Sequence, residues 1–139
     1  MPFEYNIRTR YAETAQDGII HHSSFVSYLE EARIAYLQKL GFDINELEKR
    51  NLISPITELS IKYIRPLYSL EDIVIQITLE SFSKVRFTFH YKIIKKEVLC
   101  ATASTSGCLI NELFEPIPLP TDLLETFNKE KSRTSSCLI

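Results

Sequence analysis

The sequence predicts an α+β domain in which one long central helix is wrapped by a curved antiparallel sheet of about five strands. Three observations carry that prediction. The segment from Ser24 to Leu40 is apolar at helical spacing around most of its circumference. Beyond residue 55 the apolar period changes from helical to two, the mark of strands with one buried face. Gly18, Gly41 and Gly107, the three glycines of the chain, fall where these patterns break.

The elements follow in order. Residues 3 to 11 read as a strand, with Phe3, Tyr5 and Ile7 alternating against polar neighbours. In the helix, Phe25, Tyr28, Leu29, Ala32, Tyr36 and Leu40 repeat at helical spacing, and Val26, Ile34, Ala35 and Leu37 widen the apolar surface. Glu30, Glu31, Arg33, Gln38 and Lys39 leave a narrow polar edge, as in a helix buried on several sides. Gly41 suits a C-terminal cap. Asp43-Ile44-Asn45-Glu46 has capping-box form and opens a short helix to about Arg50. Ile56 to Ile64 is a strand that stops before Pro66. Ile73, Ile75, Ile77 and Leu79, then Val85, Phe87, Phe89, Tyr91 and Ile93, alternate with polar residues as two strands joined by Ser81-Phe82-Ser83-Lys84. Val98 to Ile110 is the last long strand, with a bulge expected at Gly107. Thr121 to about Phe127 reads as a short helix, and Lys129 to Ser136 as a frayed polar tail. The chain is thus expected to hold one domain over residues 1–128 and a tail over 129–139. The four strands after the helix are expected in meander order. Open sheet edges and apolar outward positions predict a dimer that extends the sheet.

Composition removes several function classes. The chain has 139 residues and a formal net charge of -2, without the basic footprint of nucleic-acid binding. No run of about eighteen apolar residues predicts a membrane span. The N-terminus carries no signal-peptide pattern, so the cytoplasm is the expected compartment. Cys100, Cys108 and Cys137 are odd in number and fit neither a disulfide framework nor a zinc site. Cys137-Leu138-Ile139 sets its cysteine one residue too late for a prenylation box. Neither a metal nor a cofactor is expected.

The chemistry concentrates in one loop, Arg10-Tyr11-Ala12-Glu13-Thr14-Ala15-Gln16-Asp17-Gly18-Ile19-Ile20-His21-His22, which runs into the helix. Gly18 permits a backbone angle or close approach denied to other residues. Unpaired N–H groups at the helix N-terminus can polarise a carbonyl and stabilise an oxyanion. Carboxylates at Glu13 and Asp17, or imidazoles at His21 and His22, could activate water beside it. That is an acyl hydrolase using water, since no Gly-x-Ser-x-Gly elbow exists in the chain. Against this stand plainer readings. Asp17-Gly18 is also a common turn. Adjacent histidines make a poor metal site. Tyr11 and Tyr63 read as packing residues and His90 as a strand histidine.

The loop resembles the motif of hotdog-fold acyl-CoA thioesterases of the 4-hydroxybenzoyl-CoA thioesterase family, especially the Tol–Pal-associated branch. Tyr11-Ala12-Glu13-Thr14, Gly18-Ile19-Ile20, His22 and then Glu31-Ala32-Arg33 match that motif. So do Glu58 to Leu67 and Pro118-Leu119-Pro120, and the likeness spans about residues 3 to 127. It implies thioester hydrolysis between protomers of a homodimer or homotetramer, without a cofactor. It also implies a polarising amide at Gly18 or Ile19, with Tyr11 and His22 in support. The family's catalytic aspartate is absent, and Ala15 stands in its position. Polyketide chain-releasing hotdog thioesterases are similar in having Glu-Thr-x-x-x-Gly without that aspartate. The expectation is therefore hydrolysis of an acyl-CoA or acyl-carrier-protein thioester in polyketide or fatty-acid metabolism. Glu13, favoured for a face shared with residue 15, or Asp17 activates water. Phe25, Tyr28 and Leu59 are expected to line the acyl tunnel. Arg65, Lys84 and Arg86 are candidate phosphate contacts, though solvated charge is the plainer reading. Because of Ala15, a non-catalytic acyl-binding hotdog protein is the competing expectation. A dehydratase of this fold fits less well, lacking a histidine-led motif.

Overall fold

The computed structural model describes residues 2–137, and the side chains beyond Arg133 fall outside that description. Strand β1 (Phe3–Arg8) leads through two short 3-10 turns, Tyr11–Glu13 and Gln16–Gly18, into helix α1 (Ser24–Lys39). Helix α2 (Ile44–Lys49) follows, then β2 (Ile56–Tyr63), β3 (Asp72–Phe82), β4 (Arg86–Lys95), β5 (Val98–Ile110), the short β6 (Pro116–Ile117) and α3 (Thr121–Cys137).

The five long strands form one antiparallel sheet in the order β1-β3-β4-β5-β2, with β6 added against β5. The expected meander is therefore correct only for β3, β4 and β5. Strand β2 crosses to the far edge and pairs with β5. The inward side chains are those the alternation predicted: Ile73, Ile75, Ile77 and Leu79 on β3, and Phe87, Phe89, Tyr91 and Ile93 on β4, all buried. They close over Phe25, Tyr28, Leu29, Ala32 and Tyr36 of α1, which the sheet wraps. Val26 stays 40% exposed, and Ile34 and Leu37 are half-buried, so one flank of α1 is left open.

Local chemistry explains the breaks. Asp43 caps α2 by accepting the Asn45 N–H at 2.7 Å. A side chain at Gly107 would meet the Pro55 carbonyl at 2.8 Å and the Phe87 ring at 3.3 Å. The register of β2 on β5 shifts between Ile56 and Glu58, opposite this glycine, where the bulge was expected. Helix α3 runs well past Phe127, so residues 129–136 continue a helix where a frayed tail was expected. Its polar side chains are tied down: the Tyr36 hydroxyl donates to Glu130 at 2.6 Å, and Lys131 donates to the Glu80 carbonyl. Of the three cysteines, Cys100 and Cys108 are buried and unpaired, while the Cys137 side chain lies outside the described residues. No described helix is long and apolar enough to cross a membrane.

Candidate active site

The loop between β1 and α1 is fastened at several points. Thr9, fully buried, donates its hydroxyl to the Tyr68 carbonyl at 2.6 Å. Ile20 N–H donates to the Leu67 carbonyl at 2.8 Å, and Ser69 N–H to the Gly18 carbonyl at 3.2 Å. The β2–β3 connection is thus stitched to the loop. Asp17 (φ 60°) and Gly18 (φ 77°) are both left-handed, a conformation Asp tolerates and Gly adopts freely. A side chain on Gly18 would meet nothing within 4 Å, so the backbone angle, not close approach, requires glycine.

Glu13 closes the loop onto the helix. Its Oε1 accepts the Arg10 N–H at 2.8 Å and the Tyr28 hydroxyl at 2.7 Å. Its carbonyl accepts the His21 N–H at 2.9 Å and the Ser24 hydroxyl at 3.3 Å. Burial and the neighbouring carboxylate push the Tyr28 hydroxyl pKa up, so it remains a donor. Two expectations change here. Glu13 is occupied as a clasp between loop and helix, and Tyr28, 1% exposed, is its buried partner, not a tunnel wall.

Backbone amides are mostly spent inside the loop. Of the two amides expected to polarise a carbonyl, Ile19 N–H turns back to the Gln16 carbonyl at 3.2 Å, while the Gly18 N–H has no partner among the described residues. Ser24 N–H donates to His21 O at 3.0 Å, Phe25 N–H to His22 O at 3.3 Å, and Val26 N–H to Ser23 O at 3.2 Å. Ser23 N–H meets the His21 Nδ1 at 3.1 Å. Among the described residues the His22 amide, at this helix start, has no partner. Sequence reasoning named the residue but not its amide, because the loop's closure decides which N–H groups remain.

Beside it lies a groove of about 260 Å³ lined by Ile19, His22, Phe25, Tyr63, Arg65 and neighbouring apolar residues. Tyr63, read from sequence as packing, stacks edge-on against Phe25 with centroids 4.9 Å apart. Its hydroxyl donates to the His22 carbonyl at 3.0 Å, fixing the residue whose amide is free. His22 also stacks on His21, 4.1 Å between centroids. The expected site residues Ile19, His22, Phe25 and Arg65 therefore converge. Asp17 and Ala15 are exposed on the loop, outside the groove lining. Tyr11 is 75% exposed and also outside it, because the chain leaves β1 at Arg8 and turns. Leu59 lines the next pocket along α1.

Lys84 and Arg86 are remote from Arg65. The Arg65 N–H bonds the Cys100 carbonyl, whereas Arg86 pairs across from Cys108 and donates to Thr57 at 3.1 Å. Eight residues of strand separate those two points, about 26 Å. Of the three candidate phosphate contacts, Arg65 lines this groove and Lys84 and Arg86 do not. No group of three or more potential metal ligands occurs among the described residues.

Comparison with known proteins gives a consistent picture. The model of the Thioesterase-like superfamily matches residues 12–127. A 1,4-dihydroxy-2-naphthoyl-CoA hydrolase from Microcystis aeruginosa is 32% identical over 125 residues, covering 88% of this chain and 89% of that protein. The crystal structure of a DHNA-CoA thioesterase from Staphylococcus aureus superposes with a TM-score of 0.93 at 32% identity, over 98% of this chain and 95% of the other. A chloroplastic acyl-acyl carrier protein thioesterase of Arabidopsis thaliana is 23% identical over 127 residues, covering 89% of this chain and 66% of that protein.

Proposed function

The chain belongs to the thioesterase-like superfamily, with its hotdog fold, and from that premise we propose that it hydrolyses acyl-CoA thioesters to the free acid and CoA thiol. The observation that carries the reading is the unpartnered amide of His22 at the start of α1, a residue that lines an apolar groove together with Arg65. The thioester carbonyl accepts that N–H. Water adds to the carbonyl carbon, and the oxyanion gathers charge where the amide and the helix terminus stabilise it. The His22 imidazole, the one histidine lining the groove, takes the water proton and returns it to the departing thiolate as the C–S bond breaks. Glu13 and Tyr28 act as positioning residues, and Arg65 meets a CoA phosphate. Relatives named for CoA substrates favour CoA over carrier protein, and two of those at 32% identity are named for a dihydroxynaphthoyl acyl group. The exposed β2 edge, bearing Leu59 and Tyr63, supports a homodimer or homotetramer built on it.

Ala15 supports the second reading, a binder of acyl thioesters without turnover. Thiol release from a panel of aliphatic and aromatic acyl-CoAs separates the two. Wild type is expected to turn over, and His22→Ala to lose about a hundredfold or more in kcat/KM. A silent wild type that gains activity as Ala15→Asp would sink the enzyme reading. Loss in Asp17→Asn with His22→Ala still active would move the base to Asp17.

A further inference from the structure

The amides of Gly18 and His22, which have no partner among the described residues, stand on either side of a short stretch of loop that is held from outside. Ser69 N–H donates to the Gly18 carbonyl at 3.2 Å, and Ile20 N–H donates to the Leu67 carbonyl at 2.8 Å. Between these two bonds Ile19 bridges Tyr68. The direction of the open amides therefore follows the turn over residues 67–71.

One carboxylate closes that turn. Glu71 Oε1 accepts the Tyr68 N–H at 2.6 Å. Lys95, the last residue of β4, brings its ammonium to 3.1 Å from Glu71 Oε2 and 3.4 Å from Oε1. The same ammonium lies over the Tyr68 ring, 5.5 Å from its centroid. The side chains of Lys95 and Glu71 are 22% and 23% exposed, so this pair is less screened by water than the surface pairs Arg8–Asp72 and Lys49–Glu46. Neither residue lines the groove at His22. The turn keeps other supports: Thr9 N–H donates to the Glu71 carbonyl at 2.8 Å, the Thr9 hydroxyl to the Tyr68 carbonyl at 2.6 Å, and Leu67 is fully buried. Those contacts tie the turn to β1, while the carboxylate alone holds the Tyr68 N–H, in the residue that meets Ile19. Leu70 is left-handed (φ 61°), a costly state for leucine, so weakening the closure lets the turn relax.

We propose that the Glu71–Lys95 pair positions the open amides of Gly18 and His22 for the thioester carbonyl, acting through Tyr68 and its bridge to Ile19. The proposal rests on the thioesterase reading above and adds two positioning residues to it. Glu71→Ala leaves the Tyr68 N–H without its acceptor, and the amides lose alignment. Charge on the carbonyl oxygen develops in the transition state, so the loss falls on kcat more than on KM. With the best acyl-CoA of the panel, kcat should fall about tenfold and KM stay within about twofold, less than the loss of a whole oxyanion donor. Glu71→Gln keeps an oxygen for the Tyr68 N–H and should recover most of the rate. Lys95→Met should lower kcat by about threefold, and Lys95→Arg, which keeps the charge, should recover it.

The bound carbonyl separates alignment from folding. The probe is a benzoyl-CoA analogue with CH2 in place of the thioester sulfur, carbon-13 labelled at the carbonyl and followed by infrared difference spectroscopy. Wild type is expected to lower its carbonyl stretch relative to water, and Glu71→Ala to lose about half of that shift or more. A variant that is merely part-unfolded binds less probe but leaves the stretch of the bound fraction unchanged. An unchanged stretch or an unchanged kcat in Glu71→Ala would overturn the proposal, as would a rise in KM in place of the fall in kcat. Lys95→Met leaves the Tyr68 bond in place, and its smaller change in the same direction decides if Glu71→Ala does not fold. If wild type neither cleaves an acyl-CoA nor shifts the probe, the thioesterase reading fails by itself. Hydrogen exchange at the Ile20 and Ser69 amides then decides on the anchor: faster exchange in Glu71→Ala than in wild type supports it, and equal exchange overturns it.

Discussion

Near its start α1 buries Tyr28, whose hydroxyl donates to Glu13 at 2.7 Å; about two turns later it buries Tyr36, whose hydroxyl donates to Glu130 at 2.6 Å. Burial first, and then the carboxylate partner, push both phenol pKa values up, so both remain donors at any pH at which the protein is studied. The surroundings differ. Glu130 sits in a helix that also drives Phe127 into a cluster with Phe82, Phe87 and Phe89, and Arg133 grips its carboxylate at 3.0 and 3.2 Å. Glu13 sits in a turn with no buried residue, and its cation, Arg10, is 4.0 Å away and mostly exposed. One bond is an addition to an apolar anchor, while the other is a main fastening of the loop. The same pair of groups is therefore expected to matter to stability at one end of the helix and, on the proposed function, to activity at the other.

The largest effect expected is at the α3 end. Phe127, 1% exposed, contacts three other rings, and Phe127→Ala should cost about 3–5 kcal/mol in denaturant unfolding through lost burial and a cavity. If α3 were loosely attached, the loss would stay under about 1 kcal/mol, and the contrast between the two ends would collapse.

The next effect sharpens the loop end. Tyr28→Phe removes one of two donors to Glu13 Oε1, and Glu13→Ala removes the acceptor altogether. Each should lower kcat/KM by about tenfold, with about 1 kcal/mol or so of stability lost. Glu13→Gln keeps an oxygen able to accept from both Arg10 N–H and Tyr28, so its loss should be smaller than that of Glu13→Ala. Were Glu13 the base, Glu13→Gln would be as inactive as Glu13→Ala, and steady-state kinetics on the two variants decides between these roles.

Much of this architecture was legible in the sequence, and the reasons are local. The inward residues of β3 and β4 and the buried stripe of α1 announce themselves by period, since one face of each meets the core. Strand β2 was legible as a strand from Ile56 to Ile64 but not in its place: mostly exposed at the sheet edge, it pairs with β5 across a long connection. The extent of α3 was hidden because Glu130 and Lys131 look like solvent-facing residues until Tyr36 and the Glu80 carbonyl are brought beside them. In the loop, the need for a glycine at Gly18 was legible from residue types alone. The clasp role of Glu13 was missed because its partner Tyr28 reads as a core residue by spacing. The free His22 amide was missed for a different reason: an unpaired N–H depends on every other hydrogen bond in the loop.

The smallest effect separates the two carboxylates by pH. Burial pushes the Glu130 carboxyl up, but hydrogen bonds from Arg133 and the Tyr36 hydroxyl, with the charges of Arg133 and Lys39, together outweigh it and hold the group below the ordinary carboxylate range. A carboxyl with a depressed pKa in the folded state adds stability that is fully present above its unfolded pKa, about 4 to 5, and is lost as pH falls through the folded value. Wild type should therefore exceed Glu130→Gln by about 1 kcal/mol at neutral pH, and the gap should close below about pH 4. Activity should follow neither change, because α3 does not line the groove at His22. A gap that persisted unchanged at pH 3 would mean that the carboxylate charge contributes nothing and that shape alone holds α3 to Tyr36. The measurement is a set of unfolding curves for the two proteins from about pH 3 to pH 7, with kcat/KM taken at the neutral end.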